Sequence, residues 1–381
     1  MGRLAQTLGL STKLTMPPYS SEIRKTGFVL ENEIAQSLKT TGWTVISNKY
    51  YVDDSEETVR EIDLVAYRTS RIQHFDVYTV LIVSCKKSDS NAWALLAREL
   101  NLKDPNSDWW PLHAWSNDKA LASQLAVTGK TKTYHEAARA NGVVDALSLP
   151  EVEVFAFQEM DKTSGKPQND KPIFTAVTSL MKAQAYELAA LPARKKAPSV
   201  YQFNLLSVVD TDLVRLMFSG QQIVQSEIST EHYLARYIVR KREIFARVRF
   251  VQANAFATVL EDYGRLHHAN CGWFGGECNA FYNGILDDWR RTEVLLDDFA
   301  ARFRNWVAWK IERHFNRPID LGKPSLFRNA TEGTLRVGFD LPAEVIAFMN
   351  GDDEVRKQIA NALKGVYRYE GQFTVSDDIP F

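Results

Sequence analysis

Val77-Tyr78-Thr79-Val80-Leu81-Ile82-Val83-Ser84-Cys85-Lys86-Lys87, residues 77–87, is the stretch on which the fold turns. Val77 to Val83 is uncharged and rich in β-branched side chains, which predicts a central strand buried on both faces. Polar groups appear only where the run ends. Side chains alternate along a strand, so Ser84 and Lys86 share one face and Cys85 points to the other.

Upstream, Glu61-Ile62-Asp63-Leu64-Val65-Ala66-Tyr67 alternates polar and apolar and then turns apolar, as expected of a strand with one end opening onto a site. Adjacent, antiparallel strands over 60–67 and 77–86 would bring Asp63 level with Ser84 to Lys86. Before them, a Ser21 N-cap, acidic Glu22, and apolar Val29, Leu30, Ile34, Ala35 and Leu38 predict a helix from Ser21 that stops at Gly42. That helix can carry Glu31 into the same pocket. Trp43 to Ile46 and Lys49 to Val52 read as a strand and its exit into the acidic turn at residues 53–57, and residues 1–20 as a mobile arm ending at Pro17-Pro18.

An acid on one strand facing a lysine on its neighbour is the physical core of a metal-dependent phosphodiester hydrolase. A hard cation such as Mg²⁺ takes oxygen ligands and keeps several waters, so one or two carboxylates plus the scissile phosphate suffice. A lysine beside it orients the attacking water and offsets developing charge. Taken singly, these residues have plainer roles: Asp63 as a strand-end turn former, Glu31 and Glu33 as a solvated helix face, Lys86-Lys87 as edge-strand protection. Their joint order and spacing favour the site.

Gly27-Phe28-Val29-Leu30-Glu31, Arg60-Glu61-Ile62-Asp63-Leu64-Val65-Ala66 and Val80-Leu81-Ile82-Val83-Ser84-Cys85-Lys86-Lys87 together resemble the PD-(D/E)-x-K nuclease superfamily. The resemblance covers residues 21–255, with an insertion at about 91–170. It implies an α/β, restriction-endonuclease-like mixed central sheet flanked by helices. It also implies Asp63 as principal metal ligand, Glu31 as an assisting one, Lys86 as the group that positions water, and Mg²⁺ or Mn²⁺ as cofactor. The departure is Ser84, where the superfamily most often has Asp or Glu. Either Glu61, Glu31 or another carboxylate supplies the missing charge and DNA is cut, or a nuclease-like binding or assembly module remains. By the same resemblance the setting is restriction, phage defence or repair, with DNA as partner and a homo-oligomer or other defence-system subunits as companions.

Within 91–170, helix-like pieces are expected at Ala92 to Leu100, Lys119 to Leu125 and Tyr134 to Asn141, with a Trp-rich loop around Trp109-Trp110 and Trp115 and a strand at Val152 to Phe157. Pro172 to Leu191 reads as a helix with Phe174, Val177, Leu180, Met181, Ala185 and Leu188 inward. Strands follow at 201–209, 213–218, 222–228 and 244–251. The Gly- and Cys-rich HHANCGWFGGEC after Gly264 marks an expected boundary between a domain at 21–264 and a mainly helical one at 265–381, with helices at 279–291, 293–315, 343–348 and 353–365.

Lys plus Arg number 46 against 47 Asp plus Glu, so no global positive field announces a nucleic-acid binder and any DNA contact must be local. Lys87 is one such candidate. Arg304 and Lys310, beside Phe303, Trp306 and Trp309 on one helix, are others, although aromatics at that spacing more often form core. Arg194-Lys195-Lys196 and Arg240-Lys241-Arg242 are short basic clusters better read as solvated surface. His267, His268, Cys271 and Cys278 have the donor types of a zinc site at an unfamiliar spacing, and a Gly-rich loop with buried thiols is the simpler account. Three cysteines, no secretory core and no membrane span point to a reducing cytoplasm and no membrane. Gly129 to Lys132 lacks the full phosphate-loop spacing, which argues against an NTPase.

Overall fold

The computed structural model describes residues 19–53, 57–328 and 333–377. The expected arm therefore lies outside the described residues, except Tyr19 and Ser20, which open a short helix α1 (Tyr19–Ile23). The next helix, α2 (Gly27–Thr40), starts later than the Ser21 cap implies. Thr26 takes the extended N-cap backbone there, and its hydroxyl turns back to the carbonyl of Ile23. Gly42, at φ +86°, turns the chain out of the helix, as expected of a glycine past a C-terminus.

Three long strands follow, β1 (Thr44–Asp53), β2 (Thr58–Ile72) and β3 (Phe75–Lys87), as an antiparallel meander. Val80 to Cys85 are all buried, as the apolar run demanded. The chain then leaves the sheet through β4 (Asn91–Arg98), β5 (His113–Ser116), α3 (Lys119–Leu125), α4 (Lys130–Ala140) and β6 (Glu153–Asp161). Ala92 to Leu100, expected as helix, is mostly strand β4, because both its edges are taken by partners and Trp93 is buried with its indole N–H on Glu159 at 3.0 Å.

Helix α5 (Lys171–Arg194) returns to the sheet and delivers β7 (Ser199–Asp210), which lies parallel to β3 along its whole length. On α5, Ile173 rather than Phe174 fills the inward position, and Phe174 is exposed. Next come β8 (Leu213–Ser219), β9 (Gln222–Glu227), β10 (Thr230–Val239) and β11 (Arg242–Gln252). The central sheet has the order β1-β2-β3-β7-β11-β10, with β5 also on β7, and a second sheet has the order β6-β4-β8-β9. Leu81, Val83 and Cys85 pack under α2, while Val80 and Ile82 pack under α5, so opposite faces of β3 feed two cores.

The Gly- and Cys-rich segment is no loop. It lies inside one continuous helix, α6 (Phe256–Tyr282), which packs on the α2 side of the sheet. Gly264 and Gly275 face β2: a Cβ would meet Arg68 at 3.1 Å on the first and Ile72 at 3.3 Å on the second. Beyond it, α7 (Trp289–Val294), α8 (Leu296–Phe315), β12 (Ser325–Arg328), β13 (Leu335–Phe339), α9 (Ala343–Gly351), α10 (Asp353–Tyr367) and β14 (Phe373–Asp377) build a separate core. This C-terminal region is helical with a three-stranded sheet, β12-β13-β14, that the sequence reading lacked. Among the described residues no helix is long and apolar enough to cross a membrane.

Gly272 and Gly276 on α6 face open space at helical φ. Replacing either by alanine is expected to raise stability in urea denaturation by about 0.5–1 kcal/mol, since glycine loses more backbone freedom in a helix interior. Loss of stability in both variants would contradict a continuous helix through this segment.

Candidate active site

Leu64 and Val83 form the last paired position of β2 and β3 toward the site. Past it, β2 stays with β1 as far as Thr58 opposite Asp53, while β3 stays with β7 as far as Lys87 opposite Asp210. The sheet therefore forks at Asp63 and Ser84. On β1, Asn48 faces this point with φ +53°, a left-handed backbone that asparagine tolerates better than most residues. Ile62 and Leu64, two apart on β2, also fall into different cores, so the strand twists at Asp63.

In the fork the Asp63 carboxylate replaces the missing strand. The backbone N–H of Cys85 donates to Asp63 Oδ2 at 2.6 Å, and Lys86 Nζ donates to the same oxygen at 3.3 Å. Among the described residues Oδ1 has no partner. Glu31, from α2, has its carboxyl pushed above the usual range by burial first, then by the charge of Asp63; Lys86 pulls it back, and Glu61 pushes it up again. Glu61 is more exposed, and its Oε1 accepts from Asn48 Nδ2 at 2.5 Å.

Glu31, Asp63 and Lys86, expected together, thus share one local field. Ser84 is buried at 6% exposure and lines a cleft of about 50 Å³ with Glu61, Asp63, Lys86 and, from α5, Ser179 and Ala183. That is room for a few waters. Ser207 stands opposite Ser84 on β7, and among the described residues its buried hydroxyl has no partner. Cys85 points into the core as expected, and burial holds its thiol far above the ordinary range, which rules it out as a nucleophile at neutral pH.

No group of three His, Cys, Asp or Glu among the described residues forms a ready metal cage. The donors are hard carboxylate oxygens, and one of Asp63's is without a partner, which fits a cation that keeps most of its water, such as Mg²⁺, better than a tetrahedral zinc. The other candidates sit elsewhere. Lys87 is tied to Asp210 at 3.1 Å and Asp89 at 3.5 Å. Arg304 donates to the Gly322 carbonyl and Lys310 is paired with Asp352 and Glu354; Phe303 is core, whereas Trp309 is exposed, against the plainer account of that helix.

His267 bonds Thr79 at 3.0 Å and Ser70 at 2.9 Å, and burial drives its pKa down to about 4, so it is a neutral, satisfied core histidine. Cys278 lies three helical turns away in another apolar cluster. The sequence reading missed Asn48 and the α5 wall, Ser179 and Ala183, because neither carries a motif; only strand pairing and helix docking bring them in.

No protein-family model, curated protein or solved structure matches the chain. The functional reading therefore stands on the site itself.

An acid with a raised folded pKa binds its proton more tightly when folded, so ionising Glu31 costs stability as pH rises above its ordinary value of 4.5. Glu31→Gln is expected to melt higher than the parent near about pH 7.5, with the gap closing by about pH 3.5. Thermal unfolding across that range measures it, and an offset independent of pH would remove the electrostatic cause.

Proposed function

We propose that the central sheet with α2 and α5 is a restriction-endonuclease-like domain that hydrolyses phosphodiester bonds in DNA with Mg²⁺ or Mn²⁺. The observation that carries this is the meeting of Asp63, Lys86 and Glu31 where β2 and β3 part. The order of elements supports it: α2, the meander β1-β2-β3, α5 on the opposite face and β7 parallel to β3 make a mixed sheet flanked by helices.

Asp63 and Glu31 are the residues that would hold the cation, with Glu61 as the nearest further carboxylate. The bound ion would supply Lewis acidity toward the phosphate and a more acidic water. Lys86 holds its ammonium against Asp63 and, beside the phosphate, offsets the charge that develops there. Glu31, reluctant to ionise on its own, is stabilised as a carboxylate by any positive charge placed next to it.

Ser84 favours a second reading, a nucleic-acid-binding or assembly module without cleavage. Incubation with supercoiled plasmid and short duplexes in Mg²⁺, Mn²⁺ or EDTA separates the two. Cutting is expected only with metal, and Asp63→Ala and Lys86→Ala are each expected to lower it by about 100-fold or more. Ser84→Glu is expected to raise it by restoring a charge to the cleft. DNA binding that ignores EDTA, with no cutting in any variant, would leave the module.

A further inference from the structure

A second cavity lies on the same groove between α5 and the sheet. It has a volume of about 220 Å³, and its aromatic wall is Tyr67, Tyr78, Tyr201 and Phe203. Its charged lining is Lys49, Arg194 and Lys195 with the single carboxylate of Glu187. Val80 and Glu187 line it, whereas Ile82 and Ala183 line the fork. Two residues along a strand span about 6.6 Å and four along a helix about 6 Å. The cavities thus adjoin at their near edges, while the Tyr78 platform stands six strand residues, about 20 Å, from Ser84.

We propose that this cavity seats one unstacked nucleobase of a single strand that also reaches the fork. The assignment deepens the nuclease reading and rests on it. Tyr78 and Tyr201 are opposed in register across β3 and β7, and their rings stack at 4.2 Å and 4°. Lys195 Nζ lies 4.5 Å from the Tyr78 ring centre and 5.4 Å from that of Tyr201. Rigid rings beside a cation form the platform on which bases stack without regard to sequence.

Glu187 supplies the second, independent observation. It is 5% exposed, and its Oε2 accepts from Lys49 at 2.8 Å and Arg194 at 2.9 Å. Among the described residues its Oε1 is buried with no hydrogen-bond partner. An orphaned carboxylate oxygen is costly, and a small side-chain shift toward the cavity would let it accept from an amino or ring N–H of a base. With Lys49 and Arg194 committed to Glu187, an apolar ligand has no use for the Lys195 ammonium, and a bare anion has no use for four rings. A flat, N–H-bearing ring joined to a phosphate uses both. The volume falls below the ~300–1,000 Å³ of drug-sized sites, which suits one base and excludes a duplex.

The test is calorimetric titration in EDTA, where no cleavage is possible. The probes are dCMP, dAMP, deoxyribose 5-phosphate, inorganic phosphate, a short single-stranded oligonucleotide and a blunt hairpin. Nucleotides are expected to bind at least about five-fold tighter than the base-free sugar phosphate. The single strand is expected to displace them, and the hairpin to do so less well. Lys195→Ala, at a partly exposed position with little risk to folding, and Tyr78→Leu, checked by its melting curve, should each erase the preference for a base. Asp63→Ala should keep it.

Equal binding of nucleotide and sugar phosphate, or indifference to both pocket variants, would overturn the base site. Nucleotide binding that the single strand cannot displace would overturn its seating of a strand and leave a free nucleotide as ligand. Metal-dependent plasmid cutting without base preference would sink this inference alone. Base binding without cutting by any variant would sink the nuclease reading instead.

Discussion

One carboxylate oxygen, Asp63 Oδ2, stands in for a strand that has left. Once β2 turns toward β1, the backbone N–H of Cys85 has no ladder partner, and buried N–H groups in folded proteins are almost always paired. Leaving this one unmet costs about 1–3 kcal/mol. Asp63 therefore keeps β3 straight and paired with β7 up to Lys87 while the sheet beside it opens. The same bond fixes where the carboxylate points. A fork without it would either close, with β2 pairing onward and no site, or fray, with Lys86 no longer held in place.

That placement has an electrostatic consequence. Among the described residues, three acids, Glu31, Asp63 and Glu61, share the field of the Lys86 ammonium, and Glu31, partly buried on α2, responds by holding its proton more tightly. Ser84 and Ser207 face each other across β3 and β7 where a fourth charge would add further repulsion. Two neutral hydroxyls there keep the empty fork tolerable within a buried sheet. The carboxylates near the fork come instead from α2 and the twisted end of β2. The neutral hydroxyl at Ser84 and the raised pKa of Glu31 thus belong to one balance: few fixed charges, and one whose ionised form any nearby positive group would stabilise.

The sequence made the middle of the sheet legible and its borders much less so. Val77 to Val83 could be read because a run buried on both faces has few other solutions, and alternation then assigned Ser84, Cys85 and Lys86 to their faces. The meeting of Asp63 with Lys86 followed from antiparallel pairing. Ala92 to Arg98 was misread because alanine, leucine and arginine favour helix, and only partners more than fifty residues away in β6 and β8 hold them extended. The glycines of α6 suggested a break because glycine usually interrupts a helix. Two of them instead allow α6 to lie against Arg68 and Ile72, a contact that no local pattern records. Strands β10, β12, β13 and β14 are short or mixed in character, and their pairing rather than their composition makes them strands.

The α5 face of β3 also explains why two unlike cavities share one groove. Tyr78, Val80, Ile82, Ser84 and Lys86 alternate onto that face in chain order, so a ring, two apolar spacers, a hydroxyl and an ammonium form a straight line. Val80 and Ile82 pack under α5 and separate the two polar ends. Because α5 runs along the same line, Ala183 faces the fork and Glu187 the aromatic end one turn later. The spacing between the ends is therefore set by backbone geometry alone, and it cannot drift without moving a strand buried on both sides. A flexible loop would have to pay entropy to hold two such sites in register, whereas a central strand holds them by the same packing that folds the domain.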